Sequence, residues 1–270
     1  ALLDSKGKAI FIGTPKRKNW FYNLYLKGQK REDGWRSWRF TTYDNNYIDP
    51  HEIDALIKDM PEIEYQQEIL CDFLESSGQF FRKIDRCLAG NLEPPQSGHF
   101  YYLGVDLARK RDFTVIVVMD ANTNHLVAFD RFKEIDWDLQ ISRIEAMARR
   151  YNNAMIYIDA TTLGDPICQN LQNLGLSVEG IQFQSQKKNL LNKLSLMVDR
   201  GQITFPDIPV LKNELESFGY YETRSQNIVY SAPPGENDDC VMALALACWK
   251  LGERTFEVQK DSEFKRELRT

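Results

Sequence analysis

Three acidic positions stand where the chain changes from one kind of structure to another. Asp106 closes the apolar run 100–105, Asp159 closes the run 154–158, and the pair Asp238-Asp239 heads an apolar helical pattern. A carboxylate at the end of a buried strand is costly unless a partner compensates it, and a metal ion is one such partner. Hard oxygen ligands without His or Cys point to Mg²⁺ or Mn²⁺. Two such ions held by shared Asp oxygens clamp the attacking and leaving oxygens of a phosphodiester during in-line displacement. Each acid also has a plain structural reading. Asp106 can cap the turn after it, Asp159 before Ala160-Thr161-Thr162 can belong to a turn, and one of Asp238 and Asp239 can serve as a helix N-cap. Singly, structure explains each acid better; together, all at element ends, they favour a cluster.

The elements that must position them can be read from the apolar patterning. Residues 97–120, SGHFYYLGVDLARKRDFTVIVVMD, hold two runs of β-forming residues around the basic turn Arg109-Lys110-Arg111, which predicts two neighbouring antiparallel strands. A third strand is expected at 126–132, a helix at 136–151, and a continuous apolar strand at 154–158. Beyond these come a helix at 165–174, a strand at 177–183, a helix at 189–200, a short strand at 202–205, a helix at 210–218, a brief strand at 228–230 and a helix at 237–251. Three antiparallel strands followed by α/β crossovers make a mixed sheet with helices on both faces. If the first strand and the strand after the first helix lie side by side, their carboxyl ends bring Asp106 and Asp159 together. The start of the last helix then delivers Asp239 above them.

Upstream, 8–13 (KAIFIG) reads as a short buried strand stopped by Thr14-Pro15, 19–26 as helical and 35–42 as a strand. Asp49-Pro50 opens a helix through residue 58, with Asp at the cap and Pro in the first turn. Pro61 opens another to about residue 70, and a short helix is expected at 83–88. The Pro- and Gly-rich stretch 91–98 marks a boundary, and 255–270 is charged and expected to be loose.

A chain of 270 residues with 43% hydrophobic and 12% aromatic content has the means to build a real core. Its net charge of −5 counts against binding nucleic acid by charge alone, but not against an enzyme whose acids hold Mg²⁺ while local basic patches meet phosphates. The five cysteines form no CxxC pair, which predicts reduced, buried thiols in a cytosolic setting. Three widely separated histidines argue against a zinc site. No apolar run is long enough to span a membrane. The chain does not begin with Met, which reads as a piece of a longer protein.

At these residues the sequence resembles a known family. LGVDLARKRDFTVIVV, IYIDAT and PPGENDDCVMALALA are similar to the large terminase subunit of tailed bacteriophages, a DNA-packaging motor and nuclease. The resemblance implies a ribonuclease H-like nuclease domain at 98–252 and catalytic metal ligands at Asp106, Asp159 and Asp239, with Asp238 as alternative or additional ligand. Asn237 stands where the family often has a His. FIGTP, with Gly13 and Thr14, is similar to the coupling motif that ends the terminase ATPase core, and YQQEILCDFLES resembles the passage from motor to nuclease. Residues 1–75 are accordingly expected to be the tail of the ATPase domain and its linker subdomain, a small α+β remnant, with 76–97 a linker and 253–270 a flexible tail. No GxxxxGK[ST] phosphate loop exists in these residues, so an ATP site would be complete only in the full-length protein.

The resemblance further implies a Mg²⁺- or Mn²⁺-dependent endonuclease, with two ions, cutting concatemeric double-stranded DNA with little sequence preference. It implies a portal protein and a small terminase subunit as partners, no membrane, and residence in the host cytoplasm during virus assembly rather than in the finished virion. Arg109, Lys110, Arg111, Lys187 and Lys188 are candidates for contacts with the phosphate backbone, against the plainer reading of solvated turns. Three rivals remain. A transposase or Holliday-junction resolvase would share the acidic cluster, but FIGTP and YQQE tell against it. Actin-like ATPases and sugar kinases also place an Asp after a strand, but the turn ARKR lacks the glycine for close phosphate approach. In the third, a non-catalytic packaging module, the acids only cap turns.

Overall fold

The computed structural model describes residues 7–15, 20–58, 60–74, 77–107, 113–133, 136–161, 164–222, 228–233 and 235–252. The chain divides into two units, 1–78 and 79–270.

In the first unit, helices form at Trp20–Gln29 and Pro50–Ile57. The second starts as its chemistry dictates: the Asp49 side chain accepts the His51 N–H, and Pro50 sits where a missing N–H costs nothing. After Pro61 a short α-helix, Glu62–Glu64, runs into a π-turn, Tyr65–Ile69. Phe73 gathers Phe21, Tyr22 and Tyr25 around it, and Phe11 stacks on Trp35. The strands expected at 8–13 and 35–42 are not formed. Ile10 and Ile12 are 83% and 94% exposed, so KAIFIG is not a buried strand here. Alternating or apolar patterning makes a segment suited to a sheet, but a strand exists only where a neighbour takes up its backbone hydrogen bonds.

The second unit is built on a five-stranded mixed sheet. Its strands are β1 (Tyr101–Asp106), β2 (Thr114–Asp120), β3 (His125–Phe132), β4 (Met155–Asp159) and β5 (Val178–Ile181), in the spatial order β3-β2-β1-β4-β5. β1 pairs antiparallel with β2 and parallel with β4, so the two strands that end in Asp are neighbours. The all-buried run of β2, Thr114–Asp120, fits a strand covered on both faces.

Period-two alternation then sorts the side chains. Leu103, Val105, Ile156 and Ile158 point to one face and join Ile144, Ala148, Ile167 and Leu171 in a single core cluster. Those partners come from α1 (Trp137–Arg150) and α2 (Gly164–Asn173). Gly104 points the other way, onto α5 (Asp239–Ala247), whose nine residues are all buried. An added Cβ at Gly104 would come within 2.1 Å of the Ala243 carbonyl and 2.4 Å of the Ala247 N, so only glycine lets the helix lie this close.

Two more helices pack against α5. α3 (Phe183–Asp199) begins six residues earlier than the helix expected at 189. α4 (Pro209–Ser217) is followed by a hairpin of β6 (Gly219–Glu222) and β7 (Ile228–Ser231), whose first strand the apolar patterning did not signal. The strand expected at 202–205 is reduced to single bridges, Thr204 with His125 and Phe205 with Leu88. The stretch 79–97 is hydrogen-bonded into this unit: Phe80 N–H donates to the Phe218 carbonyl, Ala89 N–H to Phe205, and Glu93 N–H to Val127. All five cysteines are free thiols, four of them buried. Among the described residues no helix is long and apolar enough to cross a membrane.

Candidate metal centre

The sheet register settles where two of the acids go. Val105 stands opposite Ile158 in the parallel pair, and one residue further on each strand are Asp106 and Asp159. Alternation turns both away from the Leu103–Ile158 cluster and towards the face that carries α5. Asp239 is the first residue of α5, and it is buried. Asp238 precedes it, half-buried, with its Oδ2 3.7 Å from the Lys187 ammonium at the start of α3.

Asp106 registers the convergence. Its carboxyl is held well above the usual carboxylate range, first by burial and then by the negative charges of Asp239, Asp238 and Asp159, with Lys187 opposing. Three carboxylates from two other parts of the chain therefore bear on Asp106.

Each neighbour of Asp106 also has a protein donor. The Asp159 Oδ1 accepts the Thr161 N–H at 2.9 Å and the Thr161 hydroxyl at 2.6 Å, and the same hydroxyl accepts the Phe183 N–H at 2.9 Å. That is the turn chemistry a short Asp favours, and it ties the end of β4 to the start of α3. Asp239 Oδ2 accepts the Phe113 N–H at 3.1 Å, just before β2. The Phe113 ring lies under the Arg131 guanidinium, 3.3 Å from ring centroid to the guanidinium carbon. Among the described residues no three His, Cys, Asp or Glu side chains already stand in ligating geometry. Asp159, Asp239 and Asp238 are each engaged by a donor of their own, a hydroxyl and N–H, an N–H and an ammonium respectively. The donor set is nonetheless all hard oxygen with an excess of negative charge, which fits a hard divalent cation and not a soft one.

The side-chain cap that one of Asp238 and Asp239 could supply is not made by Asp238. Asp238 occupies the cap position, but its side chain caps nothing. Glu214, on α4, takes that place: its Oε2 accepts the Cys240 N–H at 2.7 Å, and its Oε1 lies 3.1 Å from the Cys240 thiol and 3.6 Å from Arg131. Burial pushes the Glu214 carboxyl up, against the lowering effect of these donors and of the Arg131 charge. At the other end of α5 the Lys193 ammonium donates to the Trp249 carbonyl. Anion at the N-terminus and cation at the C-terminus both match the helix dipole.

Sequence reasoning missed Glu214, Phe113 and Arg131, and had Thr161 only as part of a turn after Asp159, a turn the structure forms. Glu214 did leave a signal, because it falls on the apolar side of its helix with Leu211 and Leu215, where a charge needs a buried partner. Of the basic candidates, Lys187 reaches the acids, and Lys188 is exposed on the first turns of α3. Arg109, Lys110 and Arg111 lie outside the described residues. Gly13 and Thr14 are exposed in the first unit.

Residues 103–251 match the model of the terminase RNase H-like domain family. The chain belongs to that family. A large terminase subunit of Thermus virus P23-45 is 28% identical over 269 residues, an alignment covering 89% of this chain and 55% of that protein. The terminase nuclease from the thermophilic phage G20c superposes with a TM-score of 0.60 at 28% identity, covering 64% of this chain and 98% of that one. The same nuclease with bound magnesium gives 0.60 at 28% identity, covering 63% and 95%. The chain thus spans about half the length of the terminase subunits it matches. Its ribonuclease H-like fold, a mixed sheet flanked by helices, is the one these terminase nucleases share.

Proposed function

We propose that this chain is the nuclease part of a large terminase subunit and cuts double-stranded DNA with divalent cations held by Asp106, Asp159 and Asp239, Asp238 being a further ligand. The observation that carries this reading is the strand register that ends β1 in Asp106 beside Asp159 at the end of β4, with Asp238 and Asp239 at the start of α5 near enough to raise the Asp106 carboxyl. A cluster of like charges destabilises a fold, and a cation relieves that cost. Membership of the terminase family and likeness to a magnesium-bound terminase nuclease support the same conclusion.

Bound Mg²⁺ or Mn²⁺, with two ions the better fit to four carboxylates, would supply an activated water and neutralise charge on the phosphodiester. The chain's own groups do the positioning. The parallel pairing of β1 with β4 holds Asp106 beside Asp159, Thr161 orients Asp159, and the Phe113 N–H orients Asp239. Lys187 adds positive charge at the rim, where DNA phosphates would approach. Contacts of that kind carry no sequence information, in keeping with cutting at little sequence preference.

The rest of the reading follows from the family. Residues 1–75 are proposed to be the end of a packaging ATPase, with Gly13 and Thr14 in its coupling motif and 76–97 its link to the nuclease at 98–252. The longer protein would translocate DNA with ATP, work with a portal protein and a small terminase subunit, and act in the host cytoplasm during assembly. The test is plasmid nicking by the purified chain with Mn²⁺ or Mg²⁺. The wild type should cleave, and Asp106→Ala, Asp159→Ala and Asp239→Ala should not. Full cleavage by the Asp106 and Asp159 variants would sink the metal-cluster reading.

A further inference from the structure

Asp238 is the type of residue that ordinarily folds its carboxylate back onto the first-turn N–H groups of a helix. It makes no such bond, and its backbone, at φ −125° and ψ 13°, is not the extended form of an ordinary N-cap. The Cys240 N–H that it would serve is already taken by the Glu214 Oε2 at 2.7 Å. Glu214 is 6% exposed and comes from a different helix, α4. Its other oxygen faces the Cys240 thiol and the Arg131 guanidinium, and that guanidinium covers the ring of Phe113, whose N–H holds Asp239. A carboxylate with these contacts on both oxygens has little freedom to leave.

We propose that Glu214 is a positioning residue that caps α5 in place of Asp238, so that Asp238 and Asp239 are both released to the acid cluster. The proposal rests on the reading of those acids as metal ligands and extends it. With the cap supplied from α4, the two adjacent carboxylates at the helix start need not compete for the same N–H groups. Without it, Asp238 is the nearest acceptor and returns to the ordinary capping position, away from Asp106 and Lys187.

The test uses the whole chain with Glu214→Leu and Glu214→Gln. Glutamine keeps an oxygen for the Cys240 N–H; leucine keeps bulk without an acceptor. Crystal structures in chelator should show the Asp238 carboxylate on the first-turn N–H groups in Glu214→Leu and facing Lys187 in Glu214→Gln. Mn²⁺ titration followed by electron paramagnetic resonance should show roughly 10–100-fold weaker binding for Glu214→Leu, the usual effect of losing a group that orients a ligand, and about threefold or less for Glu214→Gln. A helix lost for general reasons would not be rescued by glutamine. An Asp238 still facing Lys187 in Glu214→Leu, or equal loss of Mn²⁺ binding in both variants, overturns the proposal. Should the leucine variant not fold, the glutamine variant decides alone: retained Mn²⁺ binding supports the cap, and binding lost tenfold or more refutes it. A wild type that binds no Mn²⁺ and cuts no DNA would refute the nuclease reading, and the crystal structures would still decide the exchange of caps.

Discussion

Replacing Gly104 by alanine should separate the site's two halves without touching an acid. Gly104 lies two residues before Asp106 on β1 and bears on α5, which delivers Asp239. A Cβ there would meet the Ala243 carbonyl at 2.1 Å and the Ala247 N at 2.4 Å. Both are helix backbone atoms, so no rotamer change relieves the clash. Reaching ordinary contact at 3.4 Å requires α5 to back off by roughly 1.3 Å, well beyond the few tenths of an ångström a packed interior tolerates. Overpacking of this kind costs about 1–3 kcal/mol, and the upper end is expected because the colliding atoms are main chain. The same shift moves Asp239 relative to Asp106, and a misplacement of about 1 Å at a reacting centre costs on the order of 100-fold in rate. Urea denaturation should therefore show Gly104→Ala folded but about 2–3 kcal/mol less stable. Its nicking rate with Mn²⁺ should fall by on the order of 100-fold at temperatures where it is fully folded. Wild-type stability together with wild-type cleavage would refute the argument, since it would mean that α5 is not seated on β1 as described.

Two further outcomes follow from the acids and their anchors. In chelator, the raised Asp106 carboxyl gives a stability contribution that is fully present below the ordinary carboxylate range and is lost as pH rises through its folded-state value, because the unfolded state ionises more readily. Asp106→Asn, neutral throughout, should remove that loss, so that denaturation curves at rising pH diverge in favour of the variant; parallel curves would show that the neighbouring charges are not felt. Thr161→Val removes the hydroxyl that donates to Asp159 and accepts the Phe183 N–H, leaving that N–H without its acceptor, at a cost of about 1–3 kcal/mol by chemical denaturation. Thr161→Ser should recover most of it, and equal losses in both variants would point to packing of the methyl group instead.

Much of the sheet was legible because its signals are local and periodic. The runs around Leu103, Val117 and Ile156 read as strands, and their order allowed β1 and β4 to be neighbours, which the parallel pairing shows them to be. The acids were legible as ends of those elements. What could not be read was how each carboxylate is held, since that depends on groups remote in sequence: the Phe113 N–H for Asp239, 126 residues away, and Lys187 for Asp238. The alternative in which one of Asp238 and Asp239 caps the helix is not met by Asp238 for the same reason. Local chemistry favoured it, but a carboxylate on α4 was already there. In the first unit, the patterning of 8–13 and 35–42 described what those segments are suited to; pairing is a property of the whole sheet and is not written in the segment.

The way the acids are held has a consequence for how the domain folds. A cluster whose only counter-charge were a metal ion would fold poorly without it, as small metal-dependent domains do. Here Thr161, the Phe113 N–H and Lys187 each satisfy one neighbour of Asp106, and the core cluster on the opposite face of the sheet needs none of them. The scaffold can thus form first, with its repulsion felt at Asp106, where the neighbouring charges raise the carboxyl. Charge is then left over for a cation to satisfy, while the backbone positions of Asp106 and Asp159 are already set by strand register. On this argument divalent metal should raise the stability of the folded chain rather than create it, and it should do so less when Asp106 is replaced by Asn.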